Sequence, residues 1–97
     1  MNQLKQTTMN FRSDLPPETL KGIGRESRAG RVYELLMFAF PGSVSLSRLE
    51  DVAFTKVTNR ISDLRKRLRP QGWDIVNETA HHNGITYSWY TLERIKG

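Results

Sequence analysis

The chain has 97 residues, no cysteine, and fifteen Lys and Arg against ten Asp and Glu, a net charge of +5. That length makes one domain with a modest core and rules out disulfides and thiolate metal sites, while a sequence pI near 10 favours an anionic partner, nucleic acid or an acidic membrane surface. No stretch reaches the roughly eighteen apolar residues of a bilayer span, and MNQLKQTTMNFRSD lacks the apolar centre of a secretory signal, so a cytoplasmic protein is expected.

Residues 1–27 are polar, interrupted by Pro16-Pro17, Gly22 and Gly24, and follow neither helical nor strand periodicity. They read as a flexible N-terminal arm, in which Leu15, Leu20 and Ile23 could dock locally and PPETLK could start a helical turn. From Ser27 or Arg28 to Phe40, SRAGRVYELLMFAF places Val32, Leu35, Leu36, Ala39 and Phe40 on one side. Ser27 is a candidate N-cap and Pro41-Gly42 a hard stop. Ser43 to Ser45 then form an extended lead-in to a short helix over 46–52, capped by Ser45 or Ser47, with Leu46, Leu49 and Ala53 inward.

After Ala53 and Phe54 comes TKVTNRISDLRKRLR, residues 55–69, with six of the chain's cations and one acid. Thr55 is the expected N-cap. Val57, Ile61, Leu64 and Leu68 recur at i, i+4, i+7 and i+11, an amphipathic helix with one buried stripe. Opposite the stripe fall Thr55, Lys56, Asn59, Ser62, Asp63 and Lys66, with Arg60, Arg65, Arg67 and Arg69 nearer the flanks. Short polar groups bordered by long cations suit a helix laid in a DNA major groove, where amides and hydroxyls reach base edges and cations reach phosphates. A solvated basic face is the alternative. A membrane-surface helix fits less well, because the apolar stripe is needed for a core.

Pro70, Gln71 and Gly72 end this helix. Residues 73–79 and 85–92 are rich in β-branched and aromatic types and flank AHHNG, which predicts a hairpin with a five-residue loop. Ile75, Tyr90 and Leu92 are expected on the buried face, Tyr87 and Trp89 on the other. Tyr87, Trp89 and Tyr90 could stack on unpaired bases. The cations lie on the helix, however, and the strands carry Asp74 and Glu78, so duplex DNA fits the charge better. His81 and His82 have no third His and no Cys to complete a metal site. No nucleophile with a nearby base, catalytic carboxylate pair or phosphate-cradling glycine loop is visible, and Gly22-Ile23-Gly24 follows no strand. Neither an enzyme nor a cofactor is expected.

Helix, short strand, short helix, turn, basic helix and hairpin is the order of the winged helix-turn-helix fold, an α+β class with three helices and a C-terminal β-hairpin wing. Residues 28–92 resemble the small winged-helix proteins of bacteriophages and mobile elements, through RAGRVYELL, VSLSRLEDV, TNRISDLRKRLRPQGWDIV and YSWYTL. Arg69-Pro70-Gln71 before Gly72 makes a slightly longer exit than is usual in that family. The resemblance implies a domain over 28–97 with the basic helix in the major groove and the hairpin tip near the minor groove or the backbone. Carried over, Thr55, Lys56, Thr58, Asn59, Arg60 and Ser62 would face bases, Asn59 suiting adenine and Lys56 or Arg60 guanine. Arg28, Arg65, Lys66, Arg67 and Arg69 would take the DNA backbone, and His81, His82 and Asn83 would form the wing tip. Asp63 would pair with Lys66 or Arg67, and Arg31 would touch the DNA backbone or, alternatively, pair with Glu34. The implied role is a transcriptional regulator or an excisionase, a recombination directionality factor, associated with the bacterial nucleoid. Its partners would be double-stranded DNA, an integrase, or further copies of itself. A protein-interaction module that inhibits or recruits another protein is the alternative from a different class.

Overall fold

The computed structural model describes residues 15–54 and 56–95. In chain order they form α1 (Arg28–Ala39), β1 (Ser43–Ser45), α2 (Leu46–Ala53), α3 (Val57–Leu68), a single 3₁₀ turn (Arg69–Gln71), β2 (Trp73–His82) and β3 (Ile85–Arg94). The class is α+β, three helices with a three-stranded antiparallel sheet. Among the described residues no helix is long and apolar enough to cross a membrane.

The first two helices carry the serine caps expected of them. Ser27 Oγ accepts the Gly30 amide at 3.0 Å and Ser45 Oγ accepts the Arg48 amide at 3.3 Å, each filling one orphan donor of a first turn. The basic helix starts differently. Thr55 lies outside the described residues, and the cap position belongs to Lys56, whose left-handed backbone (φ 57, ψ 45) and oxygen-free side chain offer no cap bond. The helix therefore begins at Val57, and α2 runs one residue past the expected Val52.

The lead-in over 43–45 is a true strand. It pairs with β3 (Ser43 opposite Thr91, Ser45 opposite Trp89), so the strand order is β1-β3-β2 with β3 in the middle. The hairpin is longer than the five-residue loop allows. Pairing continues to His82 opposite Ile85, leaving only Asn83 and Gly84 in the turn. Both have positive φ, 52 and 78, the condition of the two-residue turn that matches strand twist, and one that glycine meets without strain. His81 and His82 thus belong to β2. From Asn77 to His82 every β2 residue is exposed, so at about 3.4 Å per residue roughly 20 Å of hairpin overhangs the core.

Val32 and Leu36 of α1, Leu49 and Ala53 of α2, and Leu64 and Leu68 of α3 are fully buried against Trp73, Ile75, Tyr90 and Leu92 of the hairpin base. Phe40 meets Trp73 edge-on with centroids 5.4 Å apart, closing the end of α1 over the sheet. Of the residues expected as an arm, 1–14 lie outside the described residues, while 15–27 are laid against α1. Leu20 is buried, Ile23 packs on the core, and the Tyr33 hydroxyl donates to the Pro17 carbonyl. Burial there pushes the Tyr33 phenol pKa up. PPETLK forms no helix; Glu18 and Thr19 make a bend instead.

Gly30 shows how tightly that segment is fitted. A Cβ at this position would overlap the Gly24 carbonyl oxygen and come within 2.9 Å of the Arg25 carbonyl. Alanine in a helix interior normally gains up to about 1 kcal/mol over glycine. Gly30→Ala is instead expected to lose about 1–3 kcal/mol through overpacking, measured by thermal melting, with faster proteolysis around residues 20–27 as the segment is pushed off.

Candidate nucleic-acid interface

Helical geometry divides α3 into four sides. Val57, Ile61, Leu64 and Leu68 are buried. Directly opposite, Asn59, Ser62 and Lys66 are exposed, and none makes a side-chain hydrogen bond or ion pair among the described residues. Asp63 is half-buried beside them and forms no ion pair among those residues, contrary to the pairing expected with Lys66 or Arg67.

The flanks are pinned, each to a different neighbour. On the hairpin side Arg65 Nε donates to Asp74 Oδ1 at 2.8 Å and its Nη2 to Oδ2 at 3.3 Å, while Arg69 Nε reaches the same carboxylate at 3.4 Å. On the other flank Arg67 Nε donates to the Lys21 carbonyl at 3.0 Å and its Nη1 to the Asp63 carbonyl at 3.2 Å. Arg67 therefore uses main-chain acceptors and leaves the Asp63 carboxylate alone. Arg60, on this flank, is half-buried, and its buried Nε has no hydrogen-bond partner among the described residues.

These contacts cost little positive charge. One carboxylate serves two guanidinium groups, and the carbonyls neutralise none, so the face keeps its sign while its long side chains lose rotamer freedom before any ligand arrives. Burial pushes the Asp74 carboxyl up, but the Arg65 hydrogen bond, the Ile75 amide and the charges of Arg65 and Arg69 outweigh it and hold the pKa below the ordinary 3.8. A folded pKa below the unfolded one gives stability that is full above that value and lost as pH falls through the folded pKa. Asp74→Asn is expected to cost roughly 1 kcal/mol near neutrality, with the difference from the parent closing as urea melts are taken below pH 3.8.

At the start of α3 lie Lys56 and Thr58, both exposed, and in the turn before them Arg28 of α1 sets its guanidinium 5.2 Å from the centroid of the Phe54 ring. Arg31 does not pair with Glu34; its Nε donates to the Glu26 carbonyl at 3.4 Å. At the far end of the hairpin, His81 and His82 are neighbours on a strand and so face opposite sides. His81 Nδ1 and Thr86 Oγ1 share a hydrogen bond of 2.8 Å, and Asn83 stands in the turn itself.

The two faces of the overhang differ in chemistry. The face continuing from the core carries Asn77, Thr79, His81, Thr86 and Ser88; the outer face carries Glu78, Ile85, Tyr87 and Trp89, the last two stacked at 6.3 Å and 19°. Sequence reasoning put Tyr87 and Trp89 on that outer face and missed two participants, Asp74 and Phe54. Asp74 had a signal, an acid heading a strand next to an arginine-rich helix end. Phe54 had only its place in a turn. No family model matches the chain, and no curated protein or solved structure is significantly similar to it.

Proposed function

We propose that this chain is a non-enzymatic, sequence-preferring binder of duplex DNA, a winged helix-turn-helix protein of a phage or integrative element that acts as a transcriptional regulator or as an excisionase. The observation that carries the reading is the outward side of α3, where Asn59, Ser62 and Lys66 stand without side-chain partners among the described residues, between flanks of pre-positioned cations. Amide and hydroxyl groups at the centre have the donors and acceptors that base edges present, and guanidinium groups at the borders have the reach for phosphates. In this arrangement α3 enters the major groove. The roughly 20 Å overhang of the hairpin then carries Asn83 across the backbone toward the neighbouring minor groove, with its uncharged polar face turned to DNA.

A monomer with one helix and one wing buries little surface, so adjacent copies, an integrase, or bent DNA complete the specificity. The exposed Tyr87, stacked on the half-buried Trp89 beside exposed Ile85, favours a second reading, a protein-interaction module, since this outer face holds aromatic surface and an acid but no Lys or Arg. Selection of bound sequences from a randomised duplex library at near-physiological salt separates the readings. Enriched direct repeats support assembly of copies side by side, as in an excisionase, and a palindrome supports a dimeric regulator. The absence of any enrichment would leave the protein-interaction reading.

A further inference from the structure

Phe54 is 68% exposed in the turn between α2 and α3. Its backbone angles, φ 65 and ψ −59, fall in the strained γ-turn region, where a bulky L-residue is a rare outlier and glycine would sit without cost. The side chain therefore gains nothing for the fold by burial and opposes it through the backbone. Such outliers persist where a function holds them.

The ring is nonetheless held. Arg28, the first residue of α1, places its guanidinium over it at 5.2 Å, a cation–π contact that joins the start of α1 to the turn between α2 and α3. The rest of the ring is open to solvent, two residues ahead of Lys56 and five ahead of Asn59. Early residues of a recognition helix are those that come closest to base edges. A phenyl ring has no hydrogen-bonding group, so on the major-groove edge it can address only one feature, the C5-methyl group of thymine.

We infer that Phe54 is a specificity-determining residue of the interface, its ring in apolar contact with a thymine methyl group while Arg28, already in place on the ring, takes the adjacent phosphate. The inference rests on the DNA-binding reading of α3 and adds a sequence preference to it. It also gives the strained turn a purpose, since the conformation that costs the fold is the one that projects the ring beyond the helix.

The test uses a duplex selected by the full-length protein, in which each thymine is replaced in turn by deoxyuridine and affinity is read by fluorescence anisotropy. One replacement should weaken the parent about three- to fivefold, the worth of one buried methyl group. Phe54→Ala should bind the unmodified duplex more weakly and be indifferent to that replacement. Phe54→Gly should show the same loss together with a higher melting temperature, because the strained φ is relieved, and this excludes unfolding as the cause. Arg28→Ala should keep the thymine preference while its salt slope falls by about one. Equal binding of both bases at every position, or a preference that survives in Phe54→Ala, overturns the inference while leaving the DNA-binding reading intact. A parent protein without affinity for any duplex overturns both.

Discussion

Leu64→Ala is expected to remove about 3–5 kcal/mol of folding stability, the cost of losing a fully buried leucine and leaving a cavity. Leu64 has no solvent exposure and lies midway along the stripe by which α3 is held to the other helices and the hairpin base. Domains of this size are stable by only about 5–10 kcal/mol, so the variant should stand near its unfolding midpoint at modest urea. Fluorescence of Trp73, buried beside Phe40, reports the transition. The midpoint should fall sharply with the slope unchanged. A loss below about 1 kcal/mol would mean that α3 is not anchored by this stripe. The same burial explains how a strongly cationic helix is tolerated: apolar contacts on one side offset the mutual repulsion on the other.

Replacing Lys56 and Asn59 together by alanine should do the reverse, sparing the fold and abolishing recognition. Both side chains are exposed and neither has an intramolecular partner among the described residues, so stability should stay within about 0.5 kcal/mol of the parent. If each addresses a base, worth about 1–3 kcal/mol of discrimination apiece, affinity for a selected duplex should fall roughly a hundredfold or more, toward that for random DNA. The parent should show a log–log salt slope of roughly −4 to −5 if about five phosphates are neutralised. A double variant that still discriminates its selected site from random duplex would move base reading away from the first turn of α3.

Local signals in the sequence were strong where structure is local. Ser27 and Ser45 cap as their positions imply, Pro41-Gly42 ends α1, and the 3.6-residue stripe of α3 is buried as spaced. Three helices and a C-terminal hairpin follow from those patterns. What escaped depends on partners distant along the chain. The short strand at Ser43–Ser45 was expected, but its partner was not, since it lies against Trp89–Thr91, forty-odd residues away. The hairpin was shortened because Ala80, His81 and His82 have little strand propensity; cross-strand pairing in a two-residue turn register overrides it. Thr55 is the better cap by residue type, yet Lys56 holds the position because the turn carries positive φ at both Phe54 and Lys56. At the interface the outward residues of α3 were legible from helical angle alone. The anchoring of Arg65 and Arg69 by Asp74, and of Arg67 by the Lys21 carbonyl, was not, since each joins separate segments.

The strand order carries a consequence for biogenesis. β3 is the middle strand, yet of the described elements it is the last to be synthesised. Until it emerges, β1 and β2 have no common neighbour, and the helices lack Tyr90 and Leu92, two of the four side chains that the hairpin base buries against them. The nascent chain therefore presents its cationic helix before a stable platform exists to orient it. Native structure should form in one late, cooperative step when residues 85–94 slot between strands already made. A ribosome stalled ahead of that point would display a protease-sensitive chain, and the duplex affinity proposed above would arrive all at once with the final strand.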